Sequence, residues 1–227
     1  MKYENIVKGK FIRRDNRFIA QVEINGTVET CHVKNTGRCR ELLTEGAEVY
    51  LEPSTKPERK TKFSLVTVDK GGRLVNMDSQ APNKVVEEAI EKGWLFEGIT
   101  YHRREYTYVN SRFDFYIERG EEKAFVEVKG VTLENDNVVS FPDAPSERAV
   151  KHLDELYKAV CEGYKAYVIF VVQMSDVDYF VPNETNHKAF ADKLKEVSKK
   201  GVNILAYDCK VTENELVMRN NSVKVRI

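Results

Sequence analysis

The chain has 227 residues, and 36 Lys and Arg balance 36 Asp and Glu, so its formal net charge is zero. Hydrophobic residues make up 41% and aromatics 10%, enough for a packed core, which excludes a disordered chain. Zero net charge excludes a uniformly basic nucleic-acid binder but not a basic face, and residues 1–80 carry +4 while the remainder carries −4.

Short strands are expected over residues 6–12, 18–24, 28–33, 48–52, 63–69 and 74–78, separated by turn signals of which Asn25-Gly26 is a strong hairpin mark. Five or six strands in this length fit a small OB-like β-barrel, with a helical turn near residues 40–43. Beyond residue 80 the pattern changes. Pro82 opens a helix to Lys92, strands are expected over 101–109, 112–118 and 124–132, and a helix over 146–162 takes Ser146 as its N-cap. An apolar strand (166–173), a helix (188–200) and a strand (202–207) complete a mixed α/β sheet. The chain therefore reads as a two-domain α+β protein, residues 1–80 and 81–227.

The first residues lack the apolar run of a signal peptide, and no apolar stretch approaches a membrane span. Cys31, Cys39, Cys161 and Cys209 form no CxxC pair, as expected for thiols in a reducing compartment. A soluble, cytoplasmic protein without membrane contacts is expected.

The chemistry concentrates in residues 112–118 and 124–130. On a strand, residues two apart share a face, which puts Glu127 and Lys129 together. If residues 119–122 form a four-residue hairpin loop, Glu118 pairs with Lys123 and Asp114 falls directly across from Glu127. Like charges at cross-strand distance, about 4.5–5.5 Å between Cβ atoms, repel unless a cation lies between them. Mg²⁺ or Mn²⁺ on such oxygens could activate water and stabilise a phosphate oxygen, with Lys129 orienting that water or neutralising the phosphorane. The plainer alternative is an amphipathic hairpin whose charged residues face solvent.

These residues also carry a resemblance. Asn35-Thr36-Gly37-Arg38, Pro82-Asn83-Lys84-Val85-Val86, Asn110-Ser111-Arg112-Phe113-Asp114-Phe115, Val126-Glu127-Val128-Lys129, Phe141-Pro142-Asp143-Ala144, Ser146-Glu147-Arg148, Lys151-His152-Leu153 and Val171-Val172-Gln173 resemble the sugar fermentation stimulation protein A (SfsA) family along essentially the whole chain. The resemblance implies an N-terminal OB-like domain and a C-terminal domain like PD-(D/E)xK nucleases. It further implies DNA binding without sequence specificity and a regulatory role in sugar (maltose) metabolism. Asp114, Glu127 and Lys129 take the D, E and K positions, and Phe113 stands where the motif name has Pro.

Around this triad, Glu88 on the preceding helix is a candidate third metal carboxylate, or a solvated helix residue. Arg148, Lys151, His152 and Glu155 fall on one helical face; the first two could hold a phosphate and His152 could assist proton transfer, or all could be an exposed amphipathic face. In the basic front domain Arg38 and Arg40, in the 35–46 connection, and Arg13, Arg14 and Arg17, flanked by Phe11 and Phe18, are candidate phosphate contacts, with Lys56, Arg59, Lys60 and Lys62 as another cluster. Basic loops on such barrels are also often merely solvated, and the barrels also bind sugars and proteins. The expected function is a DNA-binding protein with a nuclease-like domain and a divalent-metal site. The alternatives are an active Mg²⁺-dependent phosphodiesterase on DNA or RNA, and a carbohydrate-binding regulator.

Overall fold

The computed structural model describes all 227 residues. Six strands, β1 (Val7–Asn16), β2 (Ile19–Ile24), β3 (Thr27–Val33), β4 (Glu48–Pro53), β5 (Phe63–Lys70) and β6 (Arg73–Asn76), build the front domain. Asn25 and Gly26 both adopt positive φ, 51° and 77°, as a two-residue hairpin turn between β2 and β3 requires. Parallel pairing of β3 with β5, Cys31 to Phe63 through Val33 to Leu65, closes the first five strands into a barrel. Closure removes two exposed edges, and it buries Val22, Cys31, Val49, Leu51, Leu65 and Val68 inside. The long connection after β3 makes one helical turn, with Leu42 and Leu43 donating to the Cys39 carbonyl, and Leu42 plugs the core.

The second domain is a six-stranded sheet. Its strands are β7 (Tyr101–Tyr108), β8 (Ser111–Arg119), β9 (Glu122–Val131), β12 (Lys165–Val172), β14 (Val202–Val211) and β15 (Leu216–Ser222), in the order β15-β14-β12-β9-β8-β7. The inner strands β9, β12 and β14 are parallel, joined by the crossover helices α2 (Glu147–Cys161) and α3 (Glu184–Lys199). Central β12 is apolar on both faces because both are covered: Val168, Phe170 and Val172 pack with α2 and α3, whereas Ile169 and Val171 pack with α1 (Ala81–Glu91). The core on the α2/α3 face runs without interruption into the barrel core, so the two domains share one hydrophobic cluster.

Several details depart from the sequence expectation, among them the edge strand β15, which was not expected. A second, four-stranded sheet of β10 (Leu133–Asn135), β11 (Val138–Phe141), β13 (Tyr179–Pro182) and β16 (Lys224–Val225) was not expected. Its hairpin turns on Asp136 and Asn137, both at positive φ and without a glycine to announce them. The β8–β9 loop is a two-residue turn at Gly120 and Glu121, because Arg119 also pairs with Glu122; the register it sets is the one expected. Finally, α3 begins before residue 188, with a short turn capped by the Asn183 side chain and a break at His187.

Candidate metal and nucleic-acid site

The site lies where β8 changes face. Phe113 packs on the α2 side with Phe125, yet Phe115, two residues on, packs on the α1 side with Val126. The neighbouring strand does the same: Arg104 reaches Glu87 on α1, Tyr106 stacks on Tyr116, and Glu105 between them has φ 50°. The β8–β9 ladder accordingly ends at Phe115 and Val126. Asp114 stands at that break rather than in a regular pair with Glu127, and this corrects the expected cross-strand geometry. Its Oδ2 accepts the Val128 backbone N–H at 2.7 Å, and its Oδ1 accepts the amide of Asn83 on α1 at 2.8 Å.

Glu127 is 3% exposed. Its Oε1 accepts from both Lys129 Nζ and His152 Nδ1, while Oε2 is buried with no partner. His152 is fixed in turn, since Arg148 Nε donates to its Nε2 and leaves the ring proton on Nδ1, aimed at Glu127. Burial alone would raise the Glu127 pKa, but Lys129 and His152 outweigh it and hold the carboxyl below the usual range. Asp114 goes the other way: burial first, then the Glu127 charge, push its carboxyl above the usual range despite its two hydrogen bonds and Lys129. Two carboxylates with opposed shifts and one orphaned buried oxygen are the donor set a hard cation would use.

Several sequence candidates take other roles. The carboxylate of Glu88, the candidate third ligand, lies 3.0 Å from the Met1 ammonium, and Asn83 is the α1 residue that hydrogen-bonds Asp114. The Arg14 guanidinium donates to the carbonyls of Asn16, Arg17, Asn35, Gly37 and Arg38 and so shapes the loop after β3. Arg13 pairs with Asp15 on the surface. The helical face of Arg148, Lys151, His152 and Glu155 is split: His152 and Glu155 are buried, Arg148 and Lys151 are exposed, and Lys151 donates to the Asn110 carbonyl. Phe11 is core, whereas Phe18 is 48% exposed. Glu87, Glu91 and His102 form a separate group whose ligand atoms lie within 4.8 Å of one another, with Glu87 already held by Arg104.

Arg17, Arg38 and Arg40 are exposed and make no ion pair; they border a surface recess beside the barrel. Arg17 and Arg38 also line a cleft of about 580 Å³ between the two domains, which begins at Gly130, one residue past Lys129. Asp143 closes one wall by accepting the Arg38 N–H at 2.8 Å, and Gly37 leaves room for it, since a Cβ there would sit 2.5 Å from the Asp143 carboxylate. Sequence reasoning missed Asn83, Gly130, Asp143 and Gln173. Asn83 on the first turn of the helix preceding the hairpin was the available signal for its role.

Residues 12–77 match the family described as the SfsA N-terminal OB domain, and residues 80–215 match the sugar fermentation stimulation protein RE domain. A sugar fermentation stimulation protein homolog of Ruminiclostridium cellulolyticum is 59% identical over 227 residues, covering 100% of both chains. The homolog of Desulfitobacterium hafniense is 58% identical over 216 residues, 95% of this chain and 94% of its own. The structure of Pyrococcus furiosus SfsA in complex with Ca²⁺ superposes with a TM-score of 0.91 at 30% identity, covering 100% of this chain and 98% of that one. No helix is long and apolar enough to cross a membrane.

Proposed function

The chain belongs to the sugar fermentation stimulation protein family, and we propose that it binds DNA without sequence preference and holds Mg²⁺ or Mn²⁺ on Asp114 and Glu127 in a nuclease-like site. The observation that carries this reading is the Glu127 Oε2 atom, buried without a partner beside a carboxylate whose charge it opposes. An unsatisfied buried acceptor costs about 1–3 kcal/mol, and a cation removes that cost together with the repulsion. The P. furiosus relative was solved with Ca²⁺, another hard cation that takes oxygen ligands. A cation held here would supply an activated water and stabilise negative charge on a phosphate oxygen.

The protein's own groups are then assigned as follows. Lys129 and His152 keep Glu127 ionised and fix its orientation, so His152 acts as a positioning residue whose two ring nitrogens are both engaged. Asn83 and the Val128 N–H orient Asp114. Lys129, 16% exposed on its side chain, is the cation nearest an incoming phosphate. Arg38, Arg40, Arg148 and Lys151 provide sequence-independent phosphate contacts. RNA is the alternative polymer.

A second reading is a non-catalytic DNA-binding regulator of sugar metabolism; the names of the relatives support its link to sugar fermentation. One assay separates the two. Purified protein is incubated with labelled single-stranded and duplex DNA and RNA in Mn²⁺, with chelator as control and Glu127→Gln as the inactive reference. Metal-dependent cleavage lost in Glu127→Gln supports the phosphodiesterase. Metal binding and DNA binding without cleavage support the regulator, and the absence of both bindings removes the proposal.

A further inference from the structure

The interdomain cleft contains an acceptor that a phosphate cannot use. Gln173 follows β12 at its carboxyl end and is 1% exposed. Its Nε2 is spent on Asn76 Oδ1 at 2.9 Å and the Asp78 carbonyl at 3.0 Å, which fixes the amide orientation. The carbonyl Oε1 therefore faces the other way, lines the cleft and receives no donor from the protein. Gly130 keeps it open: a Cβ there would stand 2.5 Å from Oε1. An amide anchored at its nitrogen, with its oxygen open to a cleft, is a fixed acceptor that a ligand N–H or O–H can use. The position, at the carboxyl ends of the parallel strands β9 and β12, is where open α/β sheets bind ligands.

The cleft has an exit. Asn35, Thr36 and Ser79 line both the cleft and an adjoining recess on the barrel, and that recess carries Phe18 and Arg59. Phe18 is one of the few large apolar side chains left in solvent. Cations without acidic partners (Arg17, Arg38), an exposed aromatic ring and a fixed acceptor thus lie along one continuous path.

Resting on the nucleic-acid reading above, we infer that this path seats a single, unpaired strand, with one base stacked on Phe18 and another nucleotide donating to Gln173 Oε1. Phosphodiester oxygens bear no proton and cannot satisfy Oε1. In a duplex the base N–H groups are paired or lie at the floor of a groove, out of reach of an atom recessed in a concave cleft. An unpaired nucleotide offers base N–H groups, and in RNA a 2′-OH as well, and its faces are free to stack.

The test uses the full chain and short fluorescein-labelled oligonucleotides of one mixed sequence, as single-stranded DNA, single-stranded RNA and blunt duplex DNA, with affinity read by anisotropy. Single strands should bind at least about tenfold tighter than the duplex. Phe18→Ala removes an exposed ring and should weaken single-strand binding about tenfold while leaving duplex binding unchanged. Gln173→Met keeps the volume and removes the acceptor, and should weaken the single strand again. Because this variant also orphans Asn76 and Asp78, Ala144→Trp, which adds bulk at another residue lining the cleft, provides the same reading if Gln173→Met does not fold. RNA exceeding DNA in wild type but not in Gln173→Met assigns the donor to the 2′-OH; equal losses assign it to the base. Equal affinity for single strand and duplex, unchanged in Phe18→Ala and Ala144→Trp, overturns this inference while the nucleic-acid reading stands. No binding to any of the three overturns both.

Discussion

Replacing Asp114 by Asn separates the cost of the carboxylate pair from its use. In wild type the Val128 N–H, the Asn83 amide and Lys129 all favour an ionised Asp114, and burial plus the Glu127 charge outweigh them, so its carboxyl is held above the usual range. Asn keeps the shape and can still accept from Val128, so the variant sheds the penalty without losing the backbone partner. Opposed like charges between strands cost roughly 0.2–1 kcal/mol, and a domain of this size gains roughly 2–4 °C in Tm per kcal/mol. The apo variant should therefore melt no lower than wild type and up to about 4 °C higher at pH 7. The sign follows from linkage: a carboxyl raised on folding costs stability above its folded pKa, and that cost vanishes as pH falls below its unfolded pKa, so the gain should shrink on acidification. Mn²⁺ should reverse the ranking. At about 100 times its Kd a bound ion contributes ~2.7 kcal/mol, or roughly 5–11 °C, to wild type. The variant, short of one anionic ligand, should shift much less. Calorimetric scans with and without Mn²⁺ read all four numbers. An equal metal shift in both proteins, or none in wild type at millimolar Mn²⁺, refutes the reasoning.

Most of the fold was legible because its signals are local. Asn25-Gly26 marks a hairpin, and Ser146 caps α2 with its side chain accepting the Ala149 N–H, as residue type and position indicate. The β8–β9 register from Arg119–Glu122 to Phe115–Val126 was also readable, since it depends only on turn placement, but it stops one pair short of Asp114 and Glu127. The orientation of the side chains was less so. Strand periodicity assumes that alternate residues share a face, and β8 breaks this between Phe113 and Phe115 with no glycine or proline to show it. In α2 the apolar residues at 150, 153, 157 and 160 suggested one buried stripe, but the structure buries Ala149, His152, Leu156 and Ala159 beside Leu153. That rotation takes His152 off the surface and onto Glu127. The anchoring of Glu88 by Met1 and of Gln173 by Asn76 depends on pairs 87 and 97 residues apart, which no local pattern encodes.

Three further outcomes test these assignments. Arg38→Ala with Arg40→Ala should weaken nucleic-acid binding and lower its log–log salt slope by about 1.4–1.8, with the Mn²⁺ melting shift unchanged; an unchanged slope removes these residues from the interface. Lys129→Ala should retain the Mn²⁺ melting shift and lose cleavage if wild type cleaves, whereas loss of the melting shift would make Lys129 part of the cation site itself. The turnover of β7 and β8 beside Asp114 is tested at Glu105, whose φ of 50° a non-glycine residue holds at a cost. Its contact with Arg112, 3.6 Å long between exposed side chains, contributes little. In a regular strand Glu105→Gly should destabilise by about 0.5–1 kcal/mol, because glycine loses more backbone freedom on folding. At a left-handed position the same change relieves strain of about 1 kcal/mol or more, which offsets or exceeds that loss. The variant should melt at or above the wild-type temperature, and a fall of more than about 2 °C would mean that β7 runs straight past Asp114.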